Sequence, residues 1–159
     1  MSAHAGAEFW EFSTRRYAEP GVAPAALRLQ DEFGCDVNLL LFCLWAGARG
    51  CGLKVADLEA LDAAALPWRS TIVEPLRRVR RALKAPPFAG ARADPIRRRL
   101  LDVEIDCERL AQEAIAAALP PMPGTGGTAL ARGNVETYLR WRGVDLDLAE
   151  PLVTALMPG

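Results

Sequence analysis

The chain contains one histidine, His4, close to the start of the sequence. A Ser-His-Asp or Cys-His catalytic set, or a His-rich metal centre, would lack its central residue. The most apolar run, Leu39 to Ala46, spans eight residues, far short of the about 20 needed to cross a bilayer, and no membrane span is expected. A net charge of -1 gives no whole-chain sign of a polyanion binder. Its 12 prolines and 13 glycines are too few for a low-complexity or collagenous chain. The segment MSAHAGAEFWEFSTRR has no basic stretch followed by an apolar one, so no secretory signal is expected.

Cysteine is also scarce in pattern. Cys35, Cys43, Cys51 and Cys107 form no CxxC pair and no zinc-type spacing. Three of them lie in or beside an apolar stretch and read as buried free thiols, which fits a reducing cytoplasm. No cofactor is expected.

What is present is apolar material, 51% of 159 residues, enough for one globular core. The apolar spacing is helical almost everywhere, and no period-two, β-branched stretch is long enough for a strand. The fold class is therefore all-α: a compact bundle of about five helices around a central apolar helix, plus a short helical C-terminal extension. The first helix runs from about Glu8 to Ala18 and stops at Pro20-Gly21. The second starts near Ala23 and ends at Gly34, a left-handed C-cap. Asp36 caps the third, Val37 to Ala48, which is apolar on every side and belongs at the centre, with Trp45 in the core. Val55 to Leu66 forms a fourth. Pro67 opens a fifth that runs to about Lys84 with a core stripe of Ile72, Leu76, Val79 and Leu83. Asp94 and Pro95 start the longest helix, to about Leu119, with a stripe of Ile96, Leu100, Val103, Cys107, Leu110 and Ala114. The expected organisation is a bundle domain over 1–119, a Pro/Gly linker over 120–128, and an extension over 129–159 with short helices near Asn134 to Trp141 and Leu148 to Met157.

The segments FWEFSTRRYAEPGV, LRLQDEFGCDVNLLLFCLWAG and PWRSTIVEPLRRVRRALK are similar to a proteobacterial family of short hypothetical proteins, a domain of unknown function. The resemblance covers roughly Phe9 to Leu119 and is most specific at Gln30-Asp31 and from Gly34 to Trp45. It implies a bacterial, cytoplasmic helical protein and carries no mechanism.

Chemistry has to be sought residue by residue. Gln30, Asp31, Asp36 and Asn38, with Glu32, bracket the tight turn into the most apolar helix and form the best candidate site. Carboxylates near one helix N-terminus could share a divalent cation, or one could act as an acid with Arg80 or another helix-five arginine opposite. The structural alternative is that Asp36 caps the helix while Asp31 and Asn38 satisfy donors inside the bundle. Asn38 stands out because a buried amide needs a partner. A helix-turn-helix reading of the same segment fails, since Leu39 to Trp45 offers base edges no donors or acceptors.

The second signal is charge segregation. From Trp68 to Arg99 there are ten basic residues against Glu74 and Asp94. Arg77, Arg80, Arg81 and Lys84 on helix five define a candidate partner-binding basic face, suited to an acidic protein. Nucleic acid is a less favoured partner, because interleaved aromatics are missing. The alternative is that Glu74 pairs with Arg78 while Asp102, Glu104 and Glu108 neutralise the others. The Asp102-Val-Glu-Ile-Asp106 spacing has an arginine one turn before it and lacks a facing acidic motif, and Ser13 and Ser70 have no base. The sequence favours a non-enzymatic interaction or regulatory module. The rival is a small ligand- or metal-binding enzyme with its site at the helix two to helix three turn.

Overall fold

A computed structural model describes residues 2–120, 122 and 124–157. Among them every regular element is helical: α1 (Ser2–Ala18), α2 (Val22–Phe33), α3 (Val37–Ala48), α4 (Val55–Pro67), a π-helical turn (Trp68–Val73), α5 (Glu74–Ala82), α6 (Ala93–Ala117), α7 (Thr128–Trp141) and α8 (Leu146–Ala155). The all-α fold is the one that the helical apolar spacing of the sequence dictates.

The centre is α3. Nine of its twelve residues are buried, from Leu39 to Gly47. Phe9 of α1 packs on it in an aromatic cluster, with ring centroids 5.2 Å from both Phe42 and Trp45. Two turns fix how the chain reaches it. Gly21 and Gly34 adopt φ of 86° and 66°, left-handed values that a side chain would resist. Past Gly34, the Gly34 and Cys35 N–H groups donate to the Gln30 and Leu29 carbonyls and close α2. Asp36 then caps α3, its Oδ1 accepting from the Asn38 and Leu39 N–H groups at 2.8 and 3.2 Å.

Helices α7 and α8, which make up most of the stretch expected as an extension over 129–159, are packed into this core. Val135, Tyr138 and Leu139 of α7 are buried with Leu152 and Val153 of α8 in the cluster that contains α3. The approach is close enough that a Cβ on Gly47 would overlap the Ala131 backbone. Asn134, buried in α7, satisfies all its polar atoms by bonding α3 and the segment after it. It donates to the Cys43 and Cys51 carbonyls at 3.2 and 2.8 Å and accepts from the Leu53 N–H at 2.8 Å.

Two expected stripes are corrected. Pro67 does not open a helix; it ends α4, and the chain continues through the π turn into α5. A π turn holds one extra residue, which rotates the downstream helix by about 100° relative to an uninterrupted α-helix. Val79, expected inside, is 52% exposed, and no residue of α5 is fully buried. Arg77 and Arg80 turn inward instead. They meet α6, which answers with a polar inner face: Glu104 and Gln112 are buried, whereas Ile96, Val103 and Leu110 are exposed.

Candidate functional site

The turn between α2 and α3 overlooks a cavity of about 970 Å³, walled by α1, α4 with the π turn, α5, α6 and the end of α7. Gln30, Asp36 and Asn38 line it, together with the apolar Trp10, Leu41 and Ile115. Asp31 does not. It lies exposed on α2, away from the lining, as does Glu32, which pairs with Arg28 at 2.6 Å. The carboxylates of the turn therefore do not converge. Among the described residues no three His, Cys, Asp or Glu come together in a way that could hold a metal ion.

Asp36 is held from three sides. Besides capping α3, its Oδ2 accepts from Arg69 Nη1 at 2.7 Å, and its backbone N–H donates to Tyr138 Oη at 2.8 Å. Arg69 also donates to Asp62 Oδ1 at 3.1 Å. The cation that faces Asp36 is thus Arg69, an arginine of the stretch expected as helix five that lies on the π turn, and not Arg80 of α5. Arg80 donates to Glu104 Oε2 at 2.6 Å, and Arg77 bridges Glu104 and Glu108 at 2.9 and 2.7 Å. The basic face is split in consequence. Arg77 and Arg80 are consumed inside, while Arg81 and Lys84 remain on the outside.

Electrostatics follow from this packing. Burial raises the Glu104 carboxyl, but the hydrogen bonds from Arg80 and Arg77 outweigh it and hold the group below the usual carboxylate range. Glu108, on the cavity wall, is pushed above its ordinary value by burial, against the pull of Arg77. Burial likewise raises the phenols of Tyr17 and Tyr138, both lining residues. Tyr138 Oη accepts from the Asp36 N–H.

Asn38 finds the partner its position demands: its Oδ1 accepts from Gln112 Nε2 at 2.8 Å. The other half of that amide is left over. Gln112 Oε1 and the Ser13 hydroxyl are buried without a hydrogen-bond partner, and both residues are 3% exposed and line the cavity. Sequence reading misses Ser13, Tyr17, Arg69, Gln112 and Tyr138 as site residues. They come from four separate elements, and only the polar position of Gln112 within an otherwise convincing helix gives any local signal.

The architecture defines an all-α bundle with a large cavity of mixed polar and apolar lining beside its central helix. Residues 8–115 match the model of a family described as a protein of unknown function (DUF2390), and the chain belongs to that family. A comparison with curated proteins and with solved structures finds no match. The matched segment supplies nearly all of the cavity wall; Tyr138 and Arg142 come from outside it.

Proposed function

We propose that this chain is a non-enzymatic small-molecule-binding protein whose cavity takes an organic anion with an apolar body and a hydrogen-bonding group at its inner end. The observation that carries this reading is a cavity of about 970 Å³ lined by Gln112 and Ser13, whose Oε1 and Oγ are buried without a hydrogen-bond partner. A buried polar atom without a partner costs about 1–3 kcal/mol, and a bound group that bonds it recovers that cost. The mouth favours negative charge. Arg78 and Arg81 line it, are exposed, and have no ion-pair partner among the described residues. Binding is favoured over catalysis because three of the four lining carboxylates, Asp36, Asp62 and Glu108, are each bonded to an arginine, and the fourth, Glu74, is exposed. The four free cysteines, two of them buried, support a reducing, cytoplasmic setting.

Anilinonaphthalene sulfonate, an aromatic body with an anionic head, is a suitable first probe. Saturable one-site fluorescence enhancement is expected from the native chain. Ile105→Trp and Leu27→Trp, which add bulk at exposed lining positions, should abolish it without lowering Tm. Non-saturable binding, or binding indifferent to both substitutions, would sink the cavity reading.

A second reading survives in reduced form. Arg81 and Lys84, with Arg78, leave a smaller basic patch on the outside for an acidic protein. Charge reversal at Arg81 and Lys84 that strips a partner from the native chain would favour it.

A further inference from the structure

Helix α6 buries Ala111, Ile115 and Ala116 near its C-terminal end, but much of its apolar edge faces out. It buries Glu104 and Gln112 and leaves Ile96, Val103 and Leu110 respectively 44%, 47% and 46% exposed. These three are spaced seven apart on one edge of a 25-residue helix. The row beside them has the same spacing: Arg92, Arg99, Asp106 and Glu113. Together they alternate in steps of four and three, the spacing of a seam that meets another helix. Arg92, Arg99 and Asp106 are exposed, whereas Glu113 is half-buried, packed against Gly6 of α1 and in a long contact of 3.6 Å with Arg109. Arg92, Arg99 and Asp106 have no ion-pair partner among the described residues.

The charges change sign halfway along the seam, from two arginines to two acids. A parallel copy would set arginine against arginine and acid against acid. An antiparallel copy sets unlike charges together, which is the complementarity that an isologous two-fold contact requires. We propose that the α6 seam is a self-docking surface, pairing antiparallel with a second copy of this chain about a two-fold axis near Val103. Val103 meets its own counterpart, Ile96 lies opposite Leu110 of the second copy, and Arg99 and Arg92 lie beside Asp106 and Glu113 of that copy. The apolar residues supply the attraction, and the charged row fixes direction and register. The proposal is independent of the cavity reading, since none of these seam residues lines the cavity.

Sedimentation equilibrium of the full chain across the micromolar range provides the test. The native chain should show a reversible monomer-dimer equilibrium. Val103→Glu brings two like charges together on the axis and should weaken the dimer by about tenfold or more, about 1.4 kcal/mol. Circular dichroism should show its fold retained, because Val103 is half exposed in the single chain. Arg99→Asp and Asp106→Arg should each weaken association, and the two combined in one chain should restore it. A native chain that stays monomeric overturns the proposal, as does a dimer indifferent to Val103→Glu or a double variant no better than the singles. If Val103→Glu instead releases a different bound protein from an otherwise monomeric chain, the seam serves another partner and self-docking is wrong.

Discussion

Gln112 Nε2 donates to Asn38 Oδ1 at 2.8 Å, joining α6 to α3 between residues 74 apart in the chain. The bond explains how an amide is tolerated on the most apolar helix of the bundle, and it leaves Gln112 Oε1 buried without a partner. Asn38→Ala leaves both ends of Gln112 without a partner and is expected to destabilise the fold by about 1–3 kcal/mol. Gln112→Leu on the Asn38→Ala background should recover part of that loss, because it removes the orphaned group altogether. Urea unfolding of the two variants and their combination measures the coupling; strict additivity would contradict it.

Glu104 is nearly inaccessible, with its two oxygens bonded to Arg77 and Arg80. Glu104→Gln should cost about 3 kcal/mol at neutral pH, since it strands Arg80 and leaves Arg77 with Glu108 alone. The folded carboxyl titrates below its ordinary value, so its contribution is complete above the unfolded value and is lost as pH falls through the folded one. The stability gap between native chain and variant should therefore close in acid. A gap that persists unchanged at low pH would show that shape, rather than charge, is what Glu104 supplies.

Gly47 faces the Ala131 backbone where α3 crosses α7, with no room for a Cβ. Gly47→Val is expected to destabilise by at least the about 1–3 kcal/mol of an overpacked core, because the obstructing atoms are main chain and cannot rotate away. Calorimetry of the variant would refute the close approach if its Tm matched that of the native chain.

Burial pushes the Cys35 thiol up to about 11, and Cys43 further in the same direction. Both should resist a thiol reagent in the native state at neutral pH, while the half-exposed Cys51 and Cys107 react. An acid whose folded pKa is raised contributes stability below its unfolded value and loses it as pH rises toward the folded one. Alkaline titration should accordingly weaken the fold before Cys35 reacts. Mass spectrometry of labelled native chain gives the count; four modified thiols at neutral pH would rule out this packing.

The helical class, the central place of α3, the Asp36 cap and the Gly34 turn can all be read from local patterns. Each depends on one helix period or one backbone conformation. The inner faces of α5 and α6 cannot, because the π turn after Pro67 shifts the phase and a periodic stripe carries no information about which side its neighbours occupy. The turn residues Gln30, Asp36 and Asn38 are findable because they interrupt an apolar run. Arg69, Ser13 and Tyr138 are not, since their role comes from elements distant in sequence, and Asp31 shares the turn's composition without sharing its direction.

The contact between α3 and α7 also sets an order in time. Asn134 reaches carbonyls and an N–H up to 91 residues earlier in the chain, so the apolar flank of α3 stays uncovered during synthesis until α7 has emerged. Until then the nascent protein exposes its stickiest helix, and loop-closure entropy for that late pairing opposes early consolidation. Helices α7 and α8 are thus expected to close the fold during synthesis, and a chain interrupted before them should present a surface suited to a chaperone.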